Sequence, residues 1–532
     1  MFMGVIEIIP ANGIILFIII ILCAKVINMR GTHTYINDLR RNVFKEIARF
    51  AYNGGGFREL AEIPFKIVPG EVGEHRQSIF LERAIVSERL RLALGLPLRS
   101  VKEHEPMSLG MDGKELGERH FDLPLVNIIP FACNACPTKR VMVTNACQGC
   151  LGHPCSEVCP KGAIEIRNGK SYIREDKCIK CGKCIDQCAY NAIIKIERPC
   201  AAACGMDAIE SDEFGRAKIN YDKCVSCGMC LVNCPFSAIV DKSQIYQLIY
   251  SIKEGQKVTA AIAPSFVGQF GKDCTPKKLV AALKILGFDA VYDVSIGADL
   301  CTIEEAFDFV EKVPSQQPFM ATSCCPSWSM MAKKLYPQFA SYISMAMTPM
   351  VLAAKLIKKD HPEQKVCFIG PCAAKKNEAS LPENRDVVDF VLTFEELQGM
   401  FDALNINFAE IEESEDDVFS GATAAARGFA VSGGVAGAVT QALTEIAPGS
   451  EILTDYAEGL RECRKMLMLA KAGKRNGYLL EGMGCPGGCV SGAGTVMPSS
   501  DTAKNVSKFQ SDAENFSSMH SQYANRLEEL MD

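Results

Sequence analysis

The stretch CVSCGMCLVNCP, residues 224–235, decides how this chain is read. Its cysteines Cys224, Cys227, Cys230 and Cys234 stand at CxxCxxCxxxC spacing ahead of Pro235. Three thiolates so spaced wrap one iron–sulfur cubane, and the fourth points away toward a neighbouring cluster. A second run upstream is Cys178, Cys181, Cys184 and Cys188. A third, widened run is Cys147, Cys150, Cys155 and Cys159, followed by Pro160. Cys133 and Cys136 form one CxxC, and Cys200 and Cys204 stand with three residues between them. Joined across the intervening module, these four make a fourth run. Sixteen cysteines thus supply four 4Fe–4S clusters. Zinc Cys₄ sites use two CxxC pairs and would not repeat CxxCxxCxxxCP. His153, inside the third run, reads as a neighbour rather than a ligand, because thiols alone complete four cubanes. The tails KGAIEI, YNAIIKI, GMDAIE and FSAIV repeat with the cysteines, each marking one supersecondary unit.

The chain has 532 residues, 26 of them cysteine, with 48% hydrophobic residues and a formal charge of -6. Its length implies several domains, and its charge argues against a nucleic-acid-binding surface. Clustered CxxC units in a large chain indicate metal ligation in a reducing, cytoplasmic setting rather than a disulfide frame. Residues 1–28 include the apolar segment GIILFIIIILCAKV, slightly short for a membrane span. The basic residues after it would keep the rest of the chain cytoplasmic if it anchored. A core helix, or a true start at Met29, are the other readings.

Residues 29–130 read as mostly helical, with NDLRRNVFKEIARFAYN ended by Gly54, Gly55 and Gly56, and IFLERAIVSERLRLALGL as a second helix. Residues 131–245 carry the cysteine runs, and DKSQIYQLIYSIKEG reads as a linker helix. From 256 to 505 apolar strand-like runs (VTAAIAP, AVYDVS, PFMATS, KVCFIGP) alternate with helical stretches, and cysteine motifs follow several strands, where open α/β sheets place their sites. Residues 506–532 read as a polar C-terminal helix.

The cysteine layout resembles iron–sulfur electron-wire subunits that insert one two-cluster module inside another. That resemblance implies the pairings Cys147, Cys150, Cys155 with Cys188, and Cys178, Cys181, Cys184 with Cys159. For the outer module it implies Cys224, Cys227, Cys230 with Cys204, and Cys133, Cys136, Cys200 with Cys234.

Three further motifs, ATSCCPSW, IGPCAAKKNEA and EGMGCPGGCVSGAG, set cysteines in tight Pro/Gly turns. Together they resemble the signature motifs of iron-only (FeFe) hydrogenases. The resemblance implies an H-cluster, a 4Fe–4S cubane joined by one cysteine to a diiron unit with CO, cyanide and a dithiolate bridge. Cys325, Cys372, Cys485 and Cys489 match the cubane ligands, with Cys489 as the bridge. Cys324 matches the proton-passing cysteine, and Lys375 and the turn Pro264–Ser265 match the holders of the two cyanides. Met483 matches a methionine near the diiron unit, and Glu305, Ser344 and Asp308 match a proton relay, Asp308 standing where the family has glutamate. Departures are Gly370 where methionine precedes Pro-Cys, SGAGTV in place of GGGQP, and TPMV (348–351) in place of Ser-Pro-Gln-Gln. They imply a divergent subgroup.

The expected fold is therefore α+β ferredoxin-like cluster modules followed by an α/β two-lobed H-cluster domain of twisted sheets flanked by helices. The expected activity is reversible reduction of protons to H₂. Electrons would come from ferredoxin or flavodoxin, and maturation proteins would supply the diiron unit. The alternatives are an H₂ or redox sensor and a cluster-assembly protein lacking the diiron unit. A sensor is expected to carry a signalling domain, and an assembly protein would not need Cys324, Lys375 or Cys489. Cys301, beside the relay segment, is a weaker candidate; Cys23, Cys274, Cys367 and Cys463 read as small buried hydrophobes.

Overall fold

The computed structural model describes residues 34–111 and 116–530, so the apolar segment within residues 1–28 lies outside them. No helix among the described residues is long and apolar enough to cross a membrane.

Three helices open the described chain: α1 (Tyr35–Asn53), α2 (Phe57–Ile67) and α3 (Ile79–Ala93). Thr34 caps α1 by accepting from the Asn37 N–H, and Gly54 ends it at φ 68°, in the left-handed region that glycine adopts without strain. These helices have no separate core. Leu39, Val43, Phe44 and Ile47 of α1 share one apolar cluster with strands and helices beyond residue 245.

Short antiparallel pairs build the cysteine-rich region. The hairpin β3 (Ile164–Arg167) with β4 (Lys170–Ile173) lies between the partners β2 (Arg140–Val143) and β5 (Ile193–Ile196). That unit and the pair β6 (Ile209–Ser211) with β7 (Ala217–Ile219) lie between the partners β1 (Val126–Ile128) and β8 (Ile239–Asp241). One module is therefore nested inside another.

Beyond residue 256 two parallel sheets form. The first has the order β10 (Ala290–Asp293), β9 (Val258–Ile262), β12 (Lys365–Gly370), β13 (Phe390–Thr393). The second has the order β11 (Met320–Ala321), β15 (Tyr478–Met483), β14 (Leu453–Glu458). Central β9 is buried along its whole length, as expected of a parallel strand covered on both faces. The chain is thus an α+β cluster region followed by an α/β region of two sheets flanked by helices.

The C-terminal helix expected over 506–532 is corrected. A helix runs over Ser499–Ser511, and the chain then turns through short 3₁₀ segments at 518–520, 524–526 and 528–530. Beyond the end of that helix, Ser517 and Ser521 accept from the N–H groups of Met519 and Tyr523, competing with a helical continuation.

Candidate metal centres

The four cysteine runs fold into loops with one backbone pattern. The residue two after the leading cysteine has positive φ in each: Ala135 (46°), Gly149 (61°), Lys180 (59°) and Ser226 (53°). So does the residue three after the last cysteine: Gly162 (54°), Asn191 (50°), Asp207 (50°) and Ser237 (48°). Six of these eight are not glycine, and each left-handed residue costs about 1 kcal/mol. The strain turns N–H groups inward. Ala163, Ala192, Ala208 and Ala238 donate to the sulfurs of Cys159, Cys188, Cys204 and Cys234 at 3.3–3.4 Å. These alanines belong to the Ala-Ile tails seen in the sequence, so the repeat is a repeat of N–H···S bonds.

Three of the four crossed groups appear together in space. Cys159 lines one pocket with Cys178, Cys181 and Cys184. Cys133, Cys136, Cys200 and Cys234 line a second, and Cys204, Cys224, Cys227 and Cys230 a third. Cys147 and Cys155 both meet Ser171, the latter at 3.3 Å from its hydroxyl, and Cys155 and Cys188 share one apolar cluster.

A fifth cavity holds Cys325, Cys372, Cys485 and Cys489 with Cys324, Lys375, Pro264, Ser265 and Met483. Its walls come from the carboxyl ends of β9, β11, β12 and β15, two strands from each sheet. Parallel sheets place sites there because strand ends face the amino ends of the following helices. Cys325 caps the helix Pro326–Leu335 and Cys372 caps Ala373–Ala379, where free N–H groups favour a thiolate. The Gly484 N–H adds a bond to Cys325 Sγ at 3.3 Å. Burial nevertheless holds all four thiols above their usual range, Cys372 at about 11. Metal ligation would displace these protons.

The fifth cavity, counted with its open mouth, holds about 790 Å³ of space between atoms, against about 350–370 Å³ for the other three counted in the same way. It therefore has room for more than a cubane. Ser265 Oγ there is buried without a hydrogen-bond partner, and Lys375 Nζ has one ion-pair partner and no aligned hydrogen bond. Lys375 Nζ lies 2.6 Å from Glu378 Oε2, but out of line for a hydrogen bond. Burial alone would lower the Lys375 pKa; Glu378 overcomes this, so the ammonium persists. A donor set of one cation and one hydroxyl in apolar walls suits an anionic, hydrogen-bond-accepting group. The departure at Gly370 is also explained: a side chain there would meet the Phe368 ring at 2.7 Å, and Phe368 itself lines the cavity. Met350 of the TPMV stretch lines it as well.

Beside the cavity, Glu305 is fully buried on the helix Ser295–Lys312. Its Oε1 accepts from the Ser323 N–H at 3.0 Å, Ser344 also bonds it, and Oε2 has no partner. Burial pushes its pKa up to about 7 against the pull of those bonds. Burial, then Glu305, then Cys301 hold the Cys324 thiol far above its usual range, so Cys324 and Glu305 are neighbours. Asp308 is partly exposed and paired with Lys312 at 2.7 Å. The sequence reading passed over Glu304, which is partly buried with Oε2 unpartnered, and underweighted Cys301, which is fully buried beside Glu305 and Lys375. The signal was the spacing: 301, 304, 305 and 308 fall on one helix face.

His153 precedes the turn Pro154–Glu157 at φ 37°, with its Nδ1 buried and without a hydrogen-bond partner. Gly228 carries the contact between cluster region and cavity. It sits at φ 76°, and a Cβ there would lie 2.4 Å from the Ala493 methyl and 3.3 Å from that of Ala373. Next to it, Cys227 is close enough to Cys372 and Cys485 to affect their ionisation.

Comparison with known proteins agrees with this geometry. The family described as iron only hydrogenase large subunit, C-terminal domain, matches residues 256–493. A 4Fe-4S dicluster domain matches 139–189, and the LdpA Fe-S cluster-binding domain matches 194–245. Iron hydrogenase 1 of Clostridium pasteurianum is 31% identical over 281 residues, covering 44% of this chain and 48% of that protein. NADP-reducing hydrogenase subunit HndD of Solidesulfovibrio fructosivorans is 29% identical over 381 residues, covering 61% and 64%. The cytosolic Fe-S cluster assembly factor narfl of Xenopus tropicalis is 24% identical over 284 residues, covering 44% and 59%. The chain thus spans from about half to just under two thirds of these relatives. Among solved structures, a variant of the FeFe-hydrogenase HydA1 of Chlamydomonas reinhardtii matches at 22% identity and TM-score 0.44, covering 52% of this chain and 89% of that one. Residues 139–189 and 194–245 thus match iron–sulfur cluster-binding domains, and residues 256–493 match the C-terminal domain of the iron only hydrogenase large subunit.

Proposed function

We propose that the protein interconverts protons, electrons and H₂ (2H⁺ + 2e⁻ ⇌ H₂) at a cofactor held in the fifth cavity. One observation carries the reading: a thiol, Cys324, opens into a four-cysteine cavity with spare volume and is backed by the buried carboxyl of Glu305. A protein that only held or passed on a cubane would need neither.

Cys325, Cys372, Cys485 and Cys489 would hold a cubane, with Cys489 bridging to a diiron unit. Lys375, Ser265 and the Pro264 turn would hold the unit's anionic ligands, with Met483 against it. When bound, that unit supplies the metal centre on which protons and electrons combine. The residues supply the proton: Asp308 and Ser344 pass it to Glu305, which near pH 7 both gives and accepts, and Cys324 delivers it. The sixteen cysteines would hold four 4Fe–4S clusters, which supply an electron relay when bound, the Cys204/Cys224/Cys227/Cys230 set lying nearest the cavity at the Gly228 contact.

We assign the outer end to ferredoxin or flavodoxin. Cys181 is exposed, the exposed Lys161, Lys183 and Ile179 line the same pocket, and the exposed Lys180 precedes Cys181, with the carboxylate of Asp186 also in solvent nearby along the chain. An acidic carrier suits such a basic, apolar-tipped face. Dense free thiols fit a reducing cytoplasm.

The second reading is cluster assembly, favoured by the likeness to narfl. Infrared spectroscopy of protein co-produced with maturation proteins decides between the two. CO and cyanide bands with H₂ evolution are expected; iron-loaded protein without those bands overturns the hydrogenase reading.

A further inference from the structure

We infer that Arg89 raises the reduction potential of the cluster at Cys133, Cys136, Cys200 and Cys234, an inference that rests on the cluster reading above. Arg89 lies on α3, in the helical region to which the sequence gives no task, and is 2% exposed. Its Nη2 donates to the carbonyl oxygen of Ser237. The N–H of that same peptide unit, belonging to Ala238, donates to Cys234 Sγ at 3.3 Å. A guanidinium pulling on the carbonyl end of a peptide strengthens the N–H bond at its other end. The matching peptides at Gly162, Asn191 and Asp207 keep the N–H···S bond, but among the described residues no donor meets their carbonyls.

The charge of Arg89 also lacks an answer within the protein. Among the described residues no carboxylate pairs with its guanidinium, and its Nε is buried without a partner. Its charged neighbours include two more cations, Arg40 and Arg76. Arg40 is taken up by a two-bond pair with Glu395, and Arg76 donates to the Phe236 carbonyl at 2.8 Å, one peptide from that of Ser237. Burial, then Arg40, pull the Arg89 pKa down to about 9, with Cys234 acting in the opposite sense. A buried unpaired cation is costly, and four thiolates on a cubane carry the net negative charge that would offset it. Reduction adds one more electron to that cluster, so a fixed cation and strengthened N–H···S bonds both favour the reduced state. Of the four loops, this one alone receives an arginine from α3, so the effect is confined to one step of the electron path.

The test uses the full-length, cluster-loaded protein as wild type, Arg89→Gln and Arg89→Lys. Iron and sulfide are assayed, and the clusters are titrated potentiometrically with detection by electron paramagnetic resonance. The expected result is unchanged iron, one cluster moved to lower potential in R89Q and moved back toward wild type in R89K, the others unmoved. A purely structural arginine would not give recovery on restoring charge alone. R89Q with full iron and a titration superimposable on wild type overturns the role of Arg89 and leaves the cluster reading standing. Wild-type iron and sulfide short by one cubane overturns both. If R89Q does not accumulate, Arg89→Met decides by the same titration: one cluster moved to lower potential at full iron supports the inference, and a titration superimposable on wild type overturns it.

Discussion

The backbone N–H of Ser323 donates to Glu305 Oε1 at 3.0 Å, fixing a buried carboxyl one residue ahead of Cys324. Glu305→Gln keeps that acceptor but removes the titrating proton. H₂ evolution is expected to fall about 10²–10⁴-fold, the usual weight of a positioned acid–base group. The same variant has a stability signature. Glu305 titrates near 7 when folded, against its ordinary value of 4.5. Below the ordinary value both states hold the proton and nothing is lost. Between 4.5 and 7 the unfolded chain releases this proton while the folded protein keeps it, so stability falls across that window by up to about 3 kcal/mol and levels off above 7. E305Q should therefore melt with wild type at low pH and above it at pH 8. Equal melting at both pH values would reject the buried titration.

Cys324→Ala should retain wild-type iron and the CO and cyanide bands while losing at least about 10²-fold in H₂ evolution. Full activity with intact bands would remove Cys324 from the proton path.

Lys376, next to the proposed cyanide-holding Lys375, is fully buried and donates to Asp241 Oδ2 at 2.7 Å, the Lys242 carbonyl at 2.8 Å and Glu396 Oε1 at 2.9 Å. It joins β8 of the cluster region to the hydrogenase-like domain. Lys376→Met strands two buried carboxylates, and a loss of about 3–5 kcal/mol is expected. A change in unfolding midpoint too small to resolve would show the network to be dispensable.

Gly228→Ala places a methyl where the Ala493 and Ala373 methyls already sit, at a left-handed backbone position. A loss of about 1–3 kcal/mol is expected, with slower reduction of the fifth-cavity cubane in stopped-flow traces. Wild-type kinetics would mean that the two parts meet elsewhere.

Lys180→Glu with Lys183→Glu should raise the KM for reduced ferredoxin several-fold at low salt and flatten its ionic-strength dependence, leaving viologen-driven activity unchanged. An unmoved KM would shift the docking face away from Cys181.

The sixteen-cysteine arithmetic and the Ala-Ile tails were legible because ligand spacing is a local property, whereas the four cavity cysteines, spread from 325 to 489, were named only through the family resemblance. Three or four thiols within a dozen residues can wrap one cluster whatever surrounds them. Four of the seven strands, β9 to β12, were legible from apolar runs followed by motifs; β13, β14 and β15 were not read as strands. The C-terminal segment was misread, because a polar pattern at helical spacing does not show that serine hydroxyls will take the backbone N–H groups for themselves. Glu304 and Cys301 were in plain view, but a single helix face became informative only once its burial was known.

What the sequence determined by itself was the chemistry: thiol ligands in repeated runs, and motifs resembling one cofactor family. What only the tertiary structure decided was which distant groups share a space. Arg89 reaches the peptide that bonds Cys234, Phe368 fills the room beside Gly370, and Gly228 brings the cluster loop onto Ala493. Ligand spacing acts over a few residues along the chain, whereas burial, charge compensation and close approach depend on packing between segments hundreds of residues apart.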